Sequence, residues 1–255
     1  MLGKILGSGQ LGKLASFVSP AFFDVMPAKA LWSKARALFA QTRNHEAFRH
    51  AVAERAAELA SAQPSIEPIA ERRAAPAKAP LAPDPAWRGA QVTELFFRQL
   101  FHGDTTLLDL RGQAFTPSSN HLVWLPAPWL AHWAPEFIGP LRDIYRGFYA
   151  HDDALFRSGL AALSLLHSED LFRKHFGGDQ AEVRFRTADF VDTFHQVFVR
   201  CKQHGSTLHP DFLSLGIYLA ALYDHLEDLG VPIDVARAFE LATSGALRNQ
   251  ETMHA

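Results

Sequence analysis

The fifteen residues Phe96 to Leu110, FFRQLFHGDTTLLDL, change character part-way along, and that change decides the fold. Up to Phe101 the apolar residues continue a helical face begun by Val92, Leu95, Phe96 and Leu100. His102-Gly103-Asp104 then breaks the helix. Beyond it, LLDL (Leu107 to Leu110) and HLVWL (His121 to Leu125) are short apolar runs separated by the turn residues TPSSN, a pattern that predicts a β-hairpin within residues 107–125.

Helical periodicity dominates on either side. Phe137, Leu141, Ile144, Tyr145 and Phe148 fit one face, and Phe190, Val191, Phe194, Val197, Phe198 and Cys201 fit another. Pro210 opens a further helix with Leu213, Ile217, Ala220, Leu226 and Leu229 on its inner side and Gly230 as its stop. The expected fold is mainly α with one small hairpin. Upstream, residues 61–90 hold six prolines, many alanines and few large apolar side chains, which predicts an extended linker. It would separate a helical N-terminal segment (residues 1–60) from a helical body (residues 91–250).

The chain has 255 residues, enough for one sizeable domain plus an appendage. Apolar residues at 48% and charged ones at 20% fit a globular protein, and twenty phenylalanines can build an aromatic core. Cys201 is the single cysteine, so no intramolecular disulfide can form and a cytoplasmic location is the expectation. No run approaches the roughly twenty apolar residues of a membrane-spanning helix, and Gly7-Ser8-Gly9-Gln10 interrupts any signal-like start.

The net charge of −2 conceals a gradient. Residues 1–45 carry Lys4, Lys13, Lys29, Lys34, Arg36 and Arg43 against Asp24 alone, giving +5. Residues 46–90 balance six against six, which leaves −7 for residues 91–255. An acidic body argues against nucleic acid as a partner. The basic head, with the apolar run Leu2, Ile5, Leu6, Leu11, Leu14, Phe17 and Val18 beside Lys4 and Lys13, suits an anionic membrane surface or a partner protein.

Gly7 to Lys13, GSGQLGK, satisfies both G-x-G-x-x-G and G-x-x-x-x-G-K. A phosphate loop needs Ser or Thr after its lysine, and Leu14 stands there; a dinucleotide fold needs a βαβ unit, and no strands follow. The match reads as accidental. His151-Asp152 has the form of a metal phosphohydrolase motif, with His121, His132, Asp170, Asp189 and Asp192 as available partners, but Asp152 or Asp153 also suits the cap of a helix beginning near Ala154. WLPAPWLAHW (Trp124 to Trp133) reads as core or a tight loop, with a partner-binding patch as the other reading.

His102 and Asp104, followed five residues later by Asp109, have the spacing of a kinase-like catalytic loop: an aspartate that orients the phosphate acceptor, then a metal ligand. The other reading has Asp104 capping a turn and His102 packing at a helix end. With this order of elements the body, residues 90–240, resembles the C-terminal half of the UbiB/AarF family of atypical kinase-like proteins. FIGPLRDIYRGFYAHDDALFRSGLAAL (Phe137 to Leu163) and STLHPDFLSLGIYLAALYDHLEDLGVPIDV (Ser206 to Val235) are similar to the family's later helices. The resemblance implies a kinase C-lobe fold, His102 and Asp104 as catalytic residues and Asp109 as the metal ligand, with ATP and magnesium as cofactors if the protein is active.

The departures point the other way. TTLLD replaces the family's His-Pro-Gly-Asn, Pro126 falls where the DFG-like aspartate belongs, and the nucleotide-binding N-lobe has no room. The resemblance therefore implies a shortened, non-catalytic member that uses no cofactor, works through a protein partner and sits near membranes.

Overall fold

A computed structural model of the chain describes residues 20–71, 83–118, 120–178 and 180–253, with side chains placed up to residue 244. The glycine-rich stretch Gly7 to Lys13 and most of the amphipathic N-terminal segment lie outside the described residues. Among those described are ten α-helices and five short strands in two small sheets, so the chain is mainly α with a small β element. No described helix is long and apolar enough to cross a membrane.

In chain order the elements are α1 (Pro20–Val25), α2 (Ala28–Gln41), α3 (His45–Ala62), β1 (Ile66–Pro68), α4 (Pro85–Phe101) and β2 (Thr105–Leu107). A 3-10 turn at Gly112–Ala114 leads to β3 (Phe115–Ser118), β4 (His121–Trp124) and β5 (Leu130–His132). Then come α5 (Pro135–Tyr149), α6 (Asp153–Ala162), α7 (Glu169–His175), α8 (Thr187–Gln203), α9 (Phe212–Leu229) and α10 (Val235–Met253).

Helix α4 lies at the centre: every residue from Val92 to Phe101 is buried. Asp84 starts it by accepting from the Ala86 N–H, with Pro85 in the first turn, where its missing N–H costs nothing. Phe96 stacks on Tyr218 of α9, and Phe97 and Phe101 meet Phe239 of α10 edge-on. The apolar stripes predicted for α8 and α9 face this core, with Val191, Ile217 and Leu229 half-buried at its edge, and Gly230 at φ +65° ends α9 in the left-handed conformation of a C-cap.

The hairpin is present but its first strand is not LLDL. Phe115–Ser118 pairs antiparallel with His121–Trp124, while Thr105–Leu107 pairs with Leu130–His132 in a separate two-stranded sheet. Leu107, Leu108 and Leu110 are all buried, so this run is enclosed on every side and lacks the alternation that a half-exposed hairpin strand needs.

The expected linker also needs correction. Ile66–Pro68, inside residues 61–90, forms β1 and runs parallel to β4, with Ile66 opposite Leu122 and Pro68 opposite Trp124. Its inward residues are buried, which composition alone does not reveal. Pro85 to Ala90 already belong to α4, and residues 72–82 lie outside the described residues.

Helices α1 to α3 dock on the body and share its core. Phe22 packs edge-on against Phe198, the Leu208 N–H donates to the Val25 carbonyl, and Lys34 pairs with the buried Asp211. From α3, Arg55 donates to the Thr105 carbonyl, and Gln63, the C-cap that follows, donates to that of Gln91.

Helices α5 and α6 touch backbone to backbone. A Cβ on Gly147 would lie 2.3 Å from the Phe156 nitrogen, and one on Gly159 would lie 2.7 Å from the Pro140 oxygen. Gly147→Ala should therefore cost about 1–3 kcal/mol, because the obstructing atoms are main chain and cannot rotate away. Gly139→Ala, on the same helix but with nothing within 4 Å, should be neutral or stabilising. Urea denaturation followed by circular dichroism checks both; equal midpoints would contradict the close approach.

Candidate functional site

Three residues carry the sequence expectation of a catalytic loop: His102, Asp104 and Asp109. The segment that bears them begins where α4 stops. His102 is the C-cap, and Gly103 at φ +80° takes the left-handed position that turns the chain out of the helix. Arg142 of α5 closes this end by donating from Nε to the Leu100 carbonyl and from Nη2 to the Gly103 carbonyl, at 2.7 and 2.6 Å.

The three side chains part company there. The His102 Nε2 lies 3.2 Å from the Ala242 carbonyl, so the ring points to α10 and serves as a donor. Asp104 is exposed. Its main-chain carbonyl accepts from the Trp133 N–H, and its charge acts on Arg142, whose pKa is lowered by burial and by Arg146 against the opposing effect of Asp104. His102 thus sits at the helix end, and Asp104 contributes a main-chain hydrogen bond in the turn that follows.

Asp109 is buried, at 2% exposure, and its carboxylate is fully engaged. Oδ1 accepts from Arg111 Nε at 2.7 Å and from the Arg111 N–H at 3.3 Å. Oδ2 accepts from Arg111 Nη2 at 2.9 Å and from the Ala127 N–H at 2.9 Å. A carboxylate has about four lone-pair positions, and all four are taken. The Asp109 carbonyl accepts from the indole of Trp124, and Arg111 stacks over the Trp129 ring at 4.4 Å. Asp109 and Arg111 together staple the segment after β2 to the segment 124–129, on which the buried Pro126 lies.

A second layer holds the same loop. Arg88 Nη2 donates to the Gly112 carbonyl at 2.7 Å, and His225 Nδ1 donates to the Leu110 carbonyl at 2.8 Å. His225 is 1% exposed. Burial and then the Arg88 charge push its pKa down to about 4, against the opposing effects of the Leu110 carbonyl, Asp224 and Asp109. It is neutral in the folded protein, and its Nε2 is buried without a hydrogen-bond partner among the described residues. Sequence inspection overlooked Arg88, Arg111 and His225. The one available signal was Arg111 two residues after Asp109, a spacing that permits a bidentate pair without requiring it.

The metal-hydrolase residues do not converge. The Asp152 carboxylate accepts from the Leu155 N–H as the N-cap of α6. His121 meets Glu67, His132 meets the Thr105 hydroxyl, Asp170 pairs with Arg200 and Asp192 bonds Gln196. Among the described residues no group of three or more His, Cys, Asp or Glu could hold a metal ion. In WLPAPWLAHW, Trp124 and Trp133 are buried and Trp129 is half-buried under Arg111, so this cluster is core.

No family model matches the chain, and no curated protein is similar to it.

Two outcomes follow from this geometry. Asp109→Ala should cost about 3–5 kcal/mol, because it strands the Arg111 charge in the interior, whereas the exposed Asp104→Ala should stay within about 0.5 kcal/mol. Chemical denaturation of both variants without any ligand is the check, and equal stabilities would remove the structural role from Asp109.

The second outcome concerns pH. His225 is neutral when folded, but the unfolded chain takes up its proton below about pH 6.5. Its contribution to stability is therefore complete above about pH 6.5 and is lost as the pH falls toward 4. His175, stacked on Tyr223 and also pushed down to about 4 by burial, acts with the same sign. The urea midpoint should fall between pH 7 and 4.5, and His225→Gln should make that fall shallower; an unchanged slope would count against His225.

Proposed function

We propose that the protein is a non-catalytic, kinase-like module, similar in layout to the C-terminal half of the UbiB/AarF family, which acts by binding. Its basic N-terminal region is read as meeting an anionic membrane surface, and its body as the part that engages a protein partner. The observation that carries the non-catalytic reading is the Asp109 carboxylate, whose acceptor positions are filled by Arg111 and Ala127.

Phosphoryl transfer relies on magnesium held by positioned side chains, and a kinase-like loop supplies one ligand five residues after its aspartate. Counted from Asp104, that position is Asp109, which is committed to Arg111. Counted from Asp109, which follows strand β2 and precedes the β3–β4 hairpin, it is Ala114. Neither register offers a free carboxylate, and Pro126 supplies none after β4. The kinase-like reading rests on the order of elements: central helix α4, strand β2, the Asp109 turn, the hairpin, then β5 paired back on β2.

The competing reading, an active ATPase or kinase, requires Arg111 to release Asp109. Isothermal titration calorimetry of the full chain with ATP and magnesium separates the two. The expected result is no magnesium-dependent heat. Saturable binding abolished by Asp104→Ala, or by Asp109→Asn in a variant shown to be folded, would restore the enzyme reading.

A further inference from the structure

Helix α2 has two faces of different chemistry. Leu31 and Ala35 are buried against the body, and Lys34 turns inward to pair with Asp211 and donate to the His132 carbonyl at 3.2 Å. The opposite face carries Lys29, Trp32 and Arg36 at positions i, i+3 and i+7, with Arg43 two turns further along, just beyond the helix end. At 100° per residue Lys29, Trp32 and Arg36 lie within about 60° of arc, so they form one ridge, and the exposed Arg43 follows in the turn beyond the helix.

Trp32 is 39% exposed on that ridge, and Phe23 of the neighbouring α1 is 41% exposed. Among the described residues Lys29, Arg36 and Arg43 have no carboxylate partner. The helix contains no acid, and Asp24, the one acid of residues 1–45, is paired with Lys202. Elsewhere on the surface, by contrast, cations are largely paired: Arg49, Arg146, Arg157, Arg173, Arg200 and Arg237 each meet a carboxylate.

We propose that the outward ridge of α2 is the surface through which the protein lies on an anionic lipid bilayer. Trp32 enters the headgroup region, where an amphipathic ring is most favourable, while Lys29, Arg36 and Arg43 meet the lipid phosphates. This rests on the membrane part of the reading above and assigns it to particular residues. A lipid surface fits better than nucleic acid. The exposed neighbours on the face are Ala28, Ser33, Ala37 and Ala40, of which Ser33 alone offers a side-chain hydrogen bond, and the −7 of residues 91–255 repels a phosphate backbone from the rest of the molecule. That same charge orients the protein with α2 toward an anionic membrane.

The test is co-sedimentation of the full chain with phosphatidylcholine vesicles containing phosphatidylserine, at low salt. Binding is expected, and it should fall as salt is raised. The Lys29→Gln/Arg36→Gln double variant should weaken it about 25-fold, from about fivefold per cation, and Trp32→Ala about tenfold. Lys174→Gln/Arg237→Gln, with the same change of charge on α7 and α10, should change it less than about twofold. The wild-type emission should shift to the blue on binding, and Trp32→Phe should lose that shift. If vesicles bind but the α2 variants behave like wild type, the ridge assignment fails while the membrane reading stands. If the wild type ignores anionic vesicles, both fail. Equal binding to pure phosphatidylcholine removes the electrostatic part, and binding to single-stranded RNA with the same losses in the α2 variants would give the ridge to nucleic acid instead.

Discussion

The side-chain amide of Gln99 fixes the arrangement of the centre of the molecule. It accepts from the Leu107 N–H at 3.0 Å and donates to the Leu107 carbonyl at 3.2 Å, so it pairs with β2 as a neighbouring strand would. It donates also to the Tyr218 hydroxyl, which in turn donates to the Phe96 carbonyl. A helix buried on all sides must satisfy every polar group it carries, since an unpaired one costs about 1–3 kcal/mol. Gln99 meets that demand while joining α4 to β2 on one side and α9 on the other. β5 then completes the second edge of β2, and the Trp133 indole donates to the Thr106 hydroxyl beside it.

The Asp109–Arg111 pair works under a different constraint. Burying two charges is costly, and the pair holds its place only because each oxygen has two donors and the guanidinium also lies over Trp129. Such a site tolerates no partial occupancy. An arginine that moved away to free the carboxylate would leave one charge unpaired in the interior, and a metal ion arriving beside Arg111 would meet a fixed positive charge. The geometry that makes Asp109 a good structural anchor therefore makes it a poor ligand. Glu94 and Arg98 repeat the solution one helix away: Arg98 donates to Glu94 from both Nε and Nη2, and to the Leu241 carbonyl of α10.

What could be read in the sequence follows from the range of the interactions. The stripe Phe190, Val191, Phe194, Val197, Phe198 and Cys201 is a local pattern, and in α8 all of it is buried except Val191, which is half-buried; the Gly230 stop and the Asp152 cap are equally local. HLVW was legible as a hairpin strand because its alternation survives in the structure. LLDL was misread because a run buried on every face has no period to show. β1 was invisible because its partner β4 lies over fifty residues away and its surroundings have the composition of a linker. His102, Asp104 and Asp109 stand close together in sequence, but spacing along a chain does not say where side chains point. Only the turn after Gly103 separates them.

The docking of the N-terminal helices links these points to the surface. Helix α2 is held by the buried Leu31 and Ala35, the half-buried Leu38 and one lysine, so its rotation about its own axis depends heavily on where Lys34 finds its partner. That partner, Asp211, is itself oriented by the Ala134 N–H at 2.8 Å and sits at the start of α9, the helix that also carries Tyr218 and His225. The core therefore fixes the azimuth of α2. With Lys34 turned inward, Trp32 must turn outward, because the two are 200° apart on the helix. The exposure of an indole between two cations that have no carboxylate partner among the described residues is thus a consequence of the ion pair beneath it, and the buried acid of the body sets which face of the basic region meets the surroundings.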